Sequence, residues 1–215
     1  MIRGVLFDLD GTFADTAPDL GAAVNHMRAV RGMPAVPLSE TRKVTSLGAR
    51  GLLGAGFGMG PEHPDYPALR EEFLDIYRRN LCVLSSPFPG MIEVVNRLEV
   101  AGLRWGIVTN KSEALARPLL AQLGFAQRTG CIIGGDTTPH MKPHPAPLLA
   151  GANAIGVPAV QCAYVGDDER DILAGRAAGM ITIAAGFGYL NGSDPERWGA
   201  DYLVNCALDI PAIVL

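Results

Sequence analysis

The stretch VLFDLDGTFADT, residues 5–16, decides how the rest of the chain is read. Val5, Leu6, Phe7 and Leu9 have the character of a buried strand, yet Asp8 and Asp10 interrupt it. Residues i and i+2 share one face of an extended chain, so the two carboxylates would crowd each other. Like charges held that close raise each other's pKa unless a cation intervenes. A polar Asp-Gly turn after a strand accounts for one such aspartate. It accounts poorly for this arrangement, whose meaning depends on what stands at the later strand ends.

Composition excludes several classes. With 215 residues, 48% hydrophobic and 19% charged, the chain can fold as one large domain or as a core with a smaller insertion. A net charge of −4 argues against a nucleic-acid partner. No apolar stretch approaches a membrane span, so no membrane partner is expected. The first strand begins so close to Met1 that no signal peptide is expected, and the expected setting is the cytoplasm. Cys82, Cys131, Cys162 and Cys206 show no Cys-x-x-Cys spacing and are expected to be reduced and buried. The scattered histidines give no zinc pattern. Monomer and homodimer both remain open.

Short β-branched runs alternate with helical patterns. The runs are Ile2–Phe7, Arg104–Thr109, Cys131–Ile133, Gln161–Val165, Met180–Ala184 and Asp201–Val204; between them Gly90–Ala101, Ser112–Leu123, His144–Ile155 and Asp168–Ala178 have helix length. Such alternation means βαβ crossovers and a doubly wound, Rossmann-like parallel sheet of the α/β class, whose ligands bind beyond the carboxyl ends of the strands. The segment between the first strand and Arg104 breaks the pattern. Leu20, Ala23, Val24, Met27 and Val30 mark one helix, and Leu69, Phe73, Ile76, Tyr77 and Leu81 mark another. Between them GARGLLGAGFGMGPEHPDYP, residues 48–67, reads as glycines that let a helix end, turn and restart. Residues 16–84 are expected to form an α-helical cap, inserted into a core of residues 1–15 and 85–215. The GAGFGMG run lacks both the spacing and the preceding strand of a dinucleotide fingerprint, and no Walker loop occurs.

Three further motifs bear on the first. WGIVTNK places Thr109 and Asn110 at a strand end, HMKPHPAP carries Lys142 in a loop, and CAYVGDDERD ends a strand before Asp167, Asp168 and Asp171. Each alone has an ordinary explanation: a helix N-cap, a solvated lysine, an acidic helix start. Together they converge on one edge of a parallel sheet. Asp8, Asp10 and Asp167 would repel one another there without a metal, and hard oxygen ligands describe Mg²⁺. Lys142 and the metal would keep Asp8 ionised as a nucleophile, while Thr109 and Asn110 would donate hydrogen bonds to phosphoryl oxygens.

DLDGT, VTNK, MKP and GDDERD, in this order and spacing, resemble the four motifs of the haloacid dehalogenase superfamily, and the insertion resembles its subclass with an α-helical cap. DTAPDL, SLGARGLL, WGIVTNK and WGAD are similar to the phosphoglycolate phosphatase-like group and to N-acetylmuramate 6-phosphate phosphatases. The resemblance implies a phosphatase acting on a small phosphorylated metabolite. Asp8 would form an aspartyl-phosphate and Asp10 would serve as general acid and base. Mg²⁺ would be held by the Asp8 side chain, the Asp10 carbonyl and Asp167. Lys142 would pair with Asp8 and the phosphoryl oxygens, with Asp171 or Asp168 orienting Lys142 or a metal-bound water.

Rival readings differ in what they need. A dehalogenase has no use for an acid two residues after the nucleophile, and a receiver module is shorter and carries its aspartate on a later strand. A β-phosphoglucomutase-like mutase shares all four motifs. Substrate choice falls to the cap, where Arg42, Lys43, Ser46 and Arg50 around SLGARG are candidates. Arg50 is expected to grip a substrate carboxylate, which phosphoglycolate and N-acetylmuramate 6-phosphate both carry.

Overall fold

In the computed structural model, which describes residues 1–215, the opening apolar run forms β1 (Gly4–Phe7). A two-residue strand, β2 (Ala14–Asp15), pairs antiparallel with β3 (Ser86–Pro87). The remaining strands are β4 (Arg104–Val108), β5 (Ile132–Ile133), β6 (Cys162–Gly166), β7 (Ile181–Ala185) and β8 (Tyr202–Val204). They join β1 in one parallel sheet of order β5-β4-β1-β6-β7-β8. This is the doubly wound order, and its reversal between β1 and β6 is the crevice where ligands of such folds bind. Asp8 and Asp167 directly follow these two strands. Every run expected as a strand is one, with ends shifted by one or two residues.

The insertion supplies α1 (Ala17–Val30), α2 (Leu38–Arg42), α3 (Gly48–Phe57) and α4 (Tyr66–Arg79). The core adds α5 (Met91–Val100), α6 (Glu113–Gln122), α7 (Ala146–Ala154), α8 (Glu169–Ala177) and α9 (Pro211–Val214). One element differs from expectation: the first half of the glycine-rich stretch is a helix, α3, rather than a turn. Glycine costs helix propensity, but a Cβ at Gly56 would lie 2.5 Å from Val24 Cγ1, so its absence lets α3 close on α1. The left-handed Gly58 then caps the helix.

Two acidic residues, Asp19 buried and Asp15 half-buried, secure the junction with the insertion. Asp19 accepts the backbone N–H groups of Val83, Leu84 and Ser85 and the Ser85 hydroxyl. Asp15 receives both nitrogens of Arg42 at 2.9 and 2.8 Å and the Tyr189 hydroxyl at 2.8 Å. The Tyr189 oxygen in turn accepts the N–H groups of Thr16 and Ala17.

All four cysteines are free; Cys162 is buried, Cys82 and Cys131 are half-buried, and Cys206 is exposed, so the expectation of burial holds only for Cys162. No helix is long and apolar enough to cross a membrane. Behind the first motif, Phe13 stacks on Trp105 at 5.6 Å between centroids and meets Phe125 edge-on at 5.0 Å. This ring cluster anchors the turn that carries Asp10 and Gly11. Phe13→Ala is expected to cost about 3–5 kcal/mol, as truncation of a buried phenylalanine does. Urea unfolding should show it as a lower midpoint with an unchanged slope.

Candidate active site

The catalytic edge is built from the carboxyl ends of β1, β4 and β6. Lys142 arrives from the loop before α7, its side chain 3% exposed. Its ammonium lies 2.9 Å from Asp8 Oδ1 and 2.7 Å from Asp171 Oδ1, and it donates to the Tyr164 hydroxyl at 2.8 Å. Burial pulls the Lys142 pKa down, but Asp171 and Asp8 outweigh it and hold the pKa above its ordinary value. Asp8 Oδ1 is buried, and the Lys142 ammonium is the donor group beside it.

Asp167, fully buried, accepts the Thr12 hydroxyl at 2.8 Å and the Tyr189 N–H at 2.9 Å. Gly11 is required beside it: its φ is +90°, and a Cβ there would collide with the Asp167 carboxylate. Asp8, Asp167 and Asp171 offer oxygens that all lie within 4.8 Å of one another. Desolvation first, then the charges of Asp8 and Asp171, push Asp167 well above the usual carboxylate range. Desolvation also raises Asp171, against the pull of Lys142. One ammonium among three buried carboxylates leaves a deficit of positive charge. The Asp10 carbonyl accepts no backbone hydrogen bond, so the set of hard oxygen donors suits a divalent cation.

The Asp10 carboxylate stands apart from this cluster. Both its oxygens meet the Lys111 ammonium, at 2.9 and 3.1 Å, and Oδ1 also accepts the Thr16 hydroxyl. Thr16 sits at the N-terminus of α1 without capping it, because its hydroxyl is spent on Asp10.

Thr109 is buried at the β4 end, and its oxygen accepts the Lys111 N–H at 3.2 Å. Asn110 corrects the expectation of a side-chain donor for phosphate. Its amide is committed at both ends to the Lys142 backbone, at 3.0 Å each, so it fixes the lysine loop. Its own N–H finds no acceptor in the protein, nor do those of Leu9 and Asp10. Asp168 and Asp171 separate into different tasks. Asp171 touches Lys142, whereas Asp168 caps α8 and is gripped by the Arg170 guanidinium and by Asn191.

A cavity of about 530 Å³ rises from Asp8 and Asp10 to the helices of the insertion. Ser46 lines it, and the Ser46 carbonyl accepts Arg170 at 2.8 Å, away from the junction. Arg50, from which a substrate contact is expected, does not line it: this residue is exposed on α3 and makes no ion pair. Arg42 is engaged by Asp15 and Lys43 by Glu40. The cations that do line the cavity from the insertion are Arg70 and Arg78. Sequence reasoning missed both, together with Lys111, Tyr77 and Arg170.

Fold and site define a doubly wound α/β protein with an acidic cluster at the carboxyl ends of its central strands. The description of haloacid dehalogenase-like hydrolases matches residues 5–185, and the chain belongs to that family. It is 52% identical over 206 residues to a phosphoglycolate phosphatase of Xanthomonas campestris, covering 94% of this chain and 91% of the relative. It is 42% identical over 205 residues to an N-acetylmuramic acid 6-phosphate phosphatase of Pseudomonas aeruginosa, covering 95% and 91%. A crystal structure of a predicted phosphoglycolate phosphatase from Haemophilus somnus superposes with a TM-score of 0.88 at 25% identity, covering 100% of this chain and 98% of that one. The chain is a phosphatase of this family.

The raised pKa values of Asp167 and Asp171 carry a sign. Above the ordinary carboxylate range the folded cation-free protein binds more protons than the unfolded chain, so these groups lower its stability as pH rises from about 4. A divalent cation takes the ionised forms, so its stabilisation should grow over the same window. Melting temperatures with and without Mg²⁺, at about pH 5 and about pH 8, should show the larger gain at the higher pH. Equal gains would place the cation elsewhere.

Proposed function

We propose that the enzyme hydrolyses the phosphomonoester of a small carboxylate-bearing metabolite in the cytoplasm, with Asp8 as nucleophile and residues 16–84 acting as its cap. The observation that carries this reading is Asp8 itself, which lines the cavity with its Oδ1 2.9 Å from the buried Lys142 ammonium. Asp8 would attack phosphorus in line, forming an aspartyl-phosphate and releasing the alcohol. Asp10 would protonate the leaving oxygen and then take a proton from the water that cleaves the aspartyl-phosphate. Lys142 would balance charge on Asp8 and the phosphoryl oxygens. The Thr109 hydroxyl and the free N–H groups of Leu9, Asp10 and Asn110 are donors suited to those oxygens. Mg²⁺, held by the Asp8 carboxylate, the Asp10 carbonyl and Asp167, would offset phosphate charge and orient the group. Asp171 would act through Lys142, and Asp168 through the start of α8.

The most similar relative described above gives phosphoglycolate as the first substrate reading. A second reading, N-acetylmuramate 6-phosphate, is favoured by the cavity. Its volume of about 530 Å³ and its walls of Phe73, Leu74, Tyr77 and Met141 give a sugar ring room that a two-carbon acid does not need. Arg70 and Arg78 are positioned to serve either carboxylate.

Asp8→Asn should abolish phosphate release while leaving the melting temperature near that of the wild type. Turnover at the wild-type rate in the pure variant would rule out the aspartyl-phosphate. Comparing kcat/KM for the two carboxylate substrates and a neutral sugar phosphate decides the substrate class. Preference for the neutral ester would exclude the carboxylate reading. Arg50→Ala should stay within about twofold of wild type on each, as a surface substitution away from the site does.

A further inference from the structure

The reaction described above assigns no task to Lys111. Its side chain is only 7% exposed, and it follows Thr109 and Asn110 at the end of β4. It meets Asp10 through both carboxylate oxygens, at 2.9 and 3.1 Å. An ammonium bound in this way restricts rotation of the carboxylate, and the Thr16 hydroxyl on Oδ1 restricts it further. The same ammonium lies 4.8 Å from the centre of the Tyr77 ring, which descends from α4 on the opposite wall of the cavity. The Tyr77 hydroxyl is buried without a well-directed hydrogen bond, and ring and hydroxyl both bear on the Lys111 ammonium. Desolvated ammonium groups are held firmly by aromatic faces.

We infer that Lys111 is a positioning residue for Asp10, and that Tyr77, resting on its ammonium, makes this positioning depend on closure of the insertion over the core. Open, the insertion would leave Lys111 exposed to water and free to change partner. Closed, the ring excludes water from one side of the ammonium and leaves Asp10 as its anionic partner. The general acid is thereby oriented when the cavity is shut. This inference rests on the reading of Asp10 as general acid and base.

The test compares two esters. An alkyl phosphate needs a proton on its leaving oxygen, whereas p-nitrophenyl phosphate releases an anion that needs none. In single-turnover measurement of aspartyl-phosphate formation, the step before the hydrolysis that both esters share, Lys111→Met is expected to lose about 10²-fold on the alkyl ester, the scale of loss for a catalytic group displaced by an ångström. The loss on the nitrophenyl ester should be at least tenfold smaller, and Lys111→Arg should restore part of the activity. Tyr77→Leu should show the same ester selectivity, and Tyr77→Phe, which keeps the ring face, should recover it. The double variant Lys111→Met/Tyr77→Leu should be no worse than Lys111→Met, because the two act as one unit. Equal losses on both esters, or losses that add, would overturn the inference. Should Lys111→Met fail to fold, equal losses on both esters for Tyr77→Leu would do the same. Asp10→Asn, measured alongside, keeps the two readings apart. Without ester selectivity in Asp10→Asn, measured in the aspartyl-phosphate-forming step, the leaving-group role of Asp10 itself falls. With selectivity there and none in the Lys111 and Tyr77 variants, only the positioning role falls.

Discussion

The Lys142 ammonium is the constraint on which the catalytic edge depends. A charge so deeply buried is costly unless paired and hydrogen-bonded, and its partners come from separate parts of the fold. Asp8 follows β1, Asp171 lies on α8, and Tyr164 belongs to β6, while the carbonyl of Val108 at the end of β4 is 3.3 Å away. Satisfying one ammonium therefore draws the carboxyl ends of the three central strands together. Asn110 fixes the backbone on which the lysine rides, so position and charge are set from both sides. Removing either carboxylate would leave the other side of this arrangement underpaired.

The same pairing leaves the site electrostatically incomplete. Lys142 compensates one charge, yet Asp8, Asp167 and Asp171 bring their oxygens within 4.8 Å of one another. Proteins tolerate such local conflict where it serves a site and compensate it elsewhere. Here the compensation is the aromatic cluster of Phe13, Trp105 and Phe125 behind the turn, together with the glycine that lets the turn approach Asp167. A phosphate ester brings more negative charge still. The site is thus arranged to accept an anion only together with a cation.

The strand ends were legible in the sequence because carboxylates inside apolar runs are conspicuous, and two periodicities separated core strands from inserted helices. What stayed hidden had an ordinary look. Lys111 reads as a solvated lysine at a helix start, and nothing local marks it as a partner of Asp10. Tyr77 falls on the apolar stripe of α4 with Leu69 and Phe73, so its ring reads as packing. Asn110 reads as a donor because its side chain could reach a phosphate; only the fold shows the amide taken by the lysine loop. Arg50 misled because glycines around it suggested a turn. In a helix it projects to solvent, and Ser46, four residues earlier, is the one facing the cavity.

Chemistry and closure are joined through few residues. Tyr189 holds Asp167 with its backbone N–H and the junction residues Thr16 and Ala17 with its hydroxyl, so the acidic cluster and the junction share one residue. Away from that junction two polar bridges join the insertion to the core, Arg170 to the Ser46 carbonyl and the Tyr77 ring on Lys111, beside the packing of Thr45–Leu47 against Leu190–Gly192. Arg170 is itself braced by Asp168, which caps the helix that bears Asp171. Each bridge therefore ends on a residue that also touches the catalytic apparatus. The Ser46 bridge is made by a carbonyl, which any residue at that position supplies, so the side chains facing the cavity there are not bound by it. The same holds for Arg70 and Arg78, whose ion pairs run to their neighbours Glu71 and Asp75 rather than to the core. Side chains on the insertion's wall can thus differ without disturbing the charges beneath it.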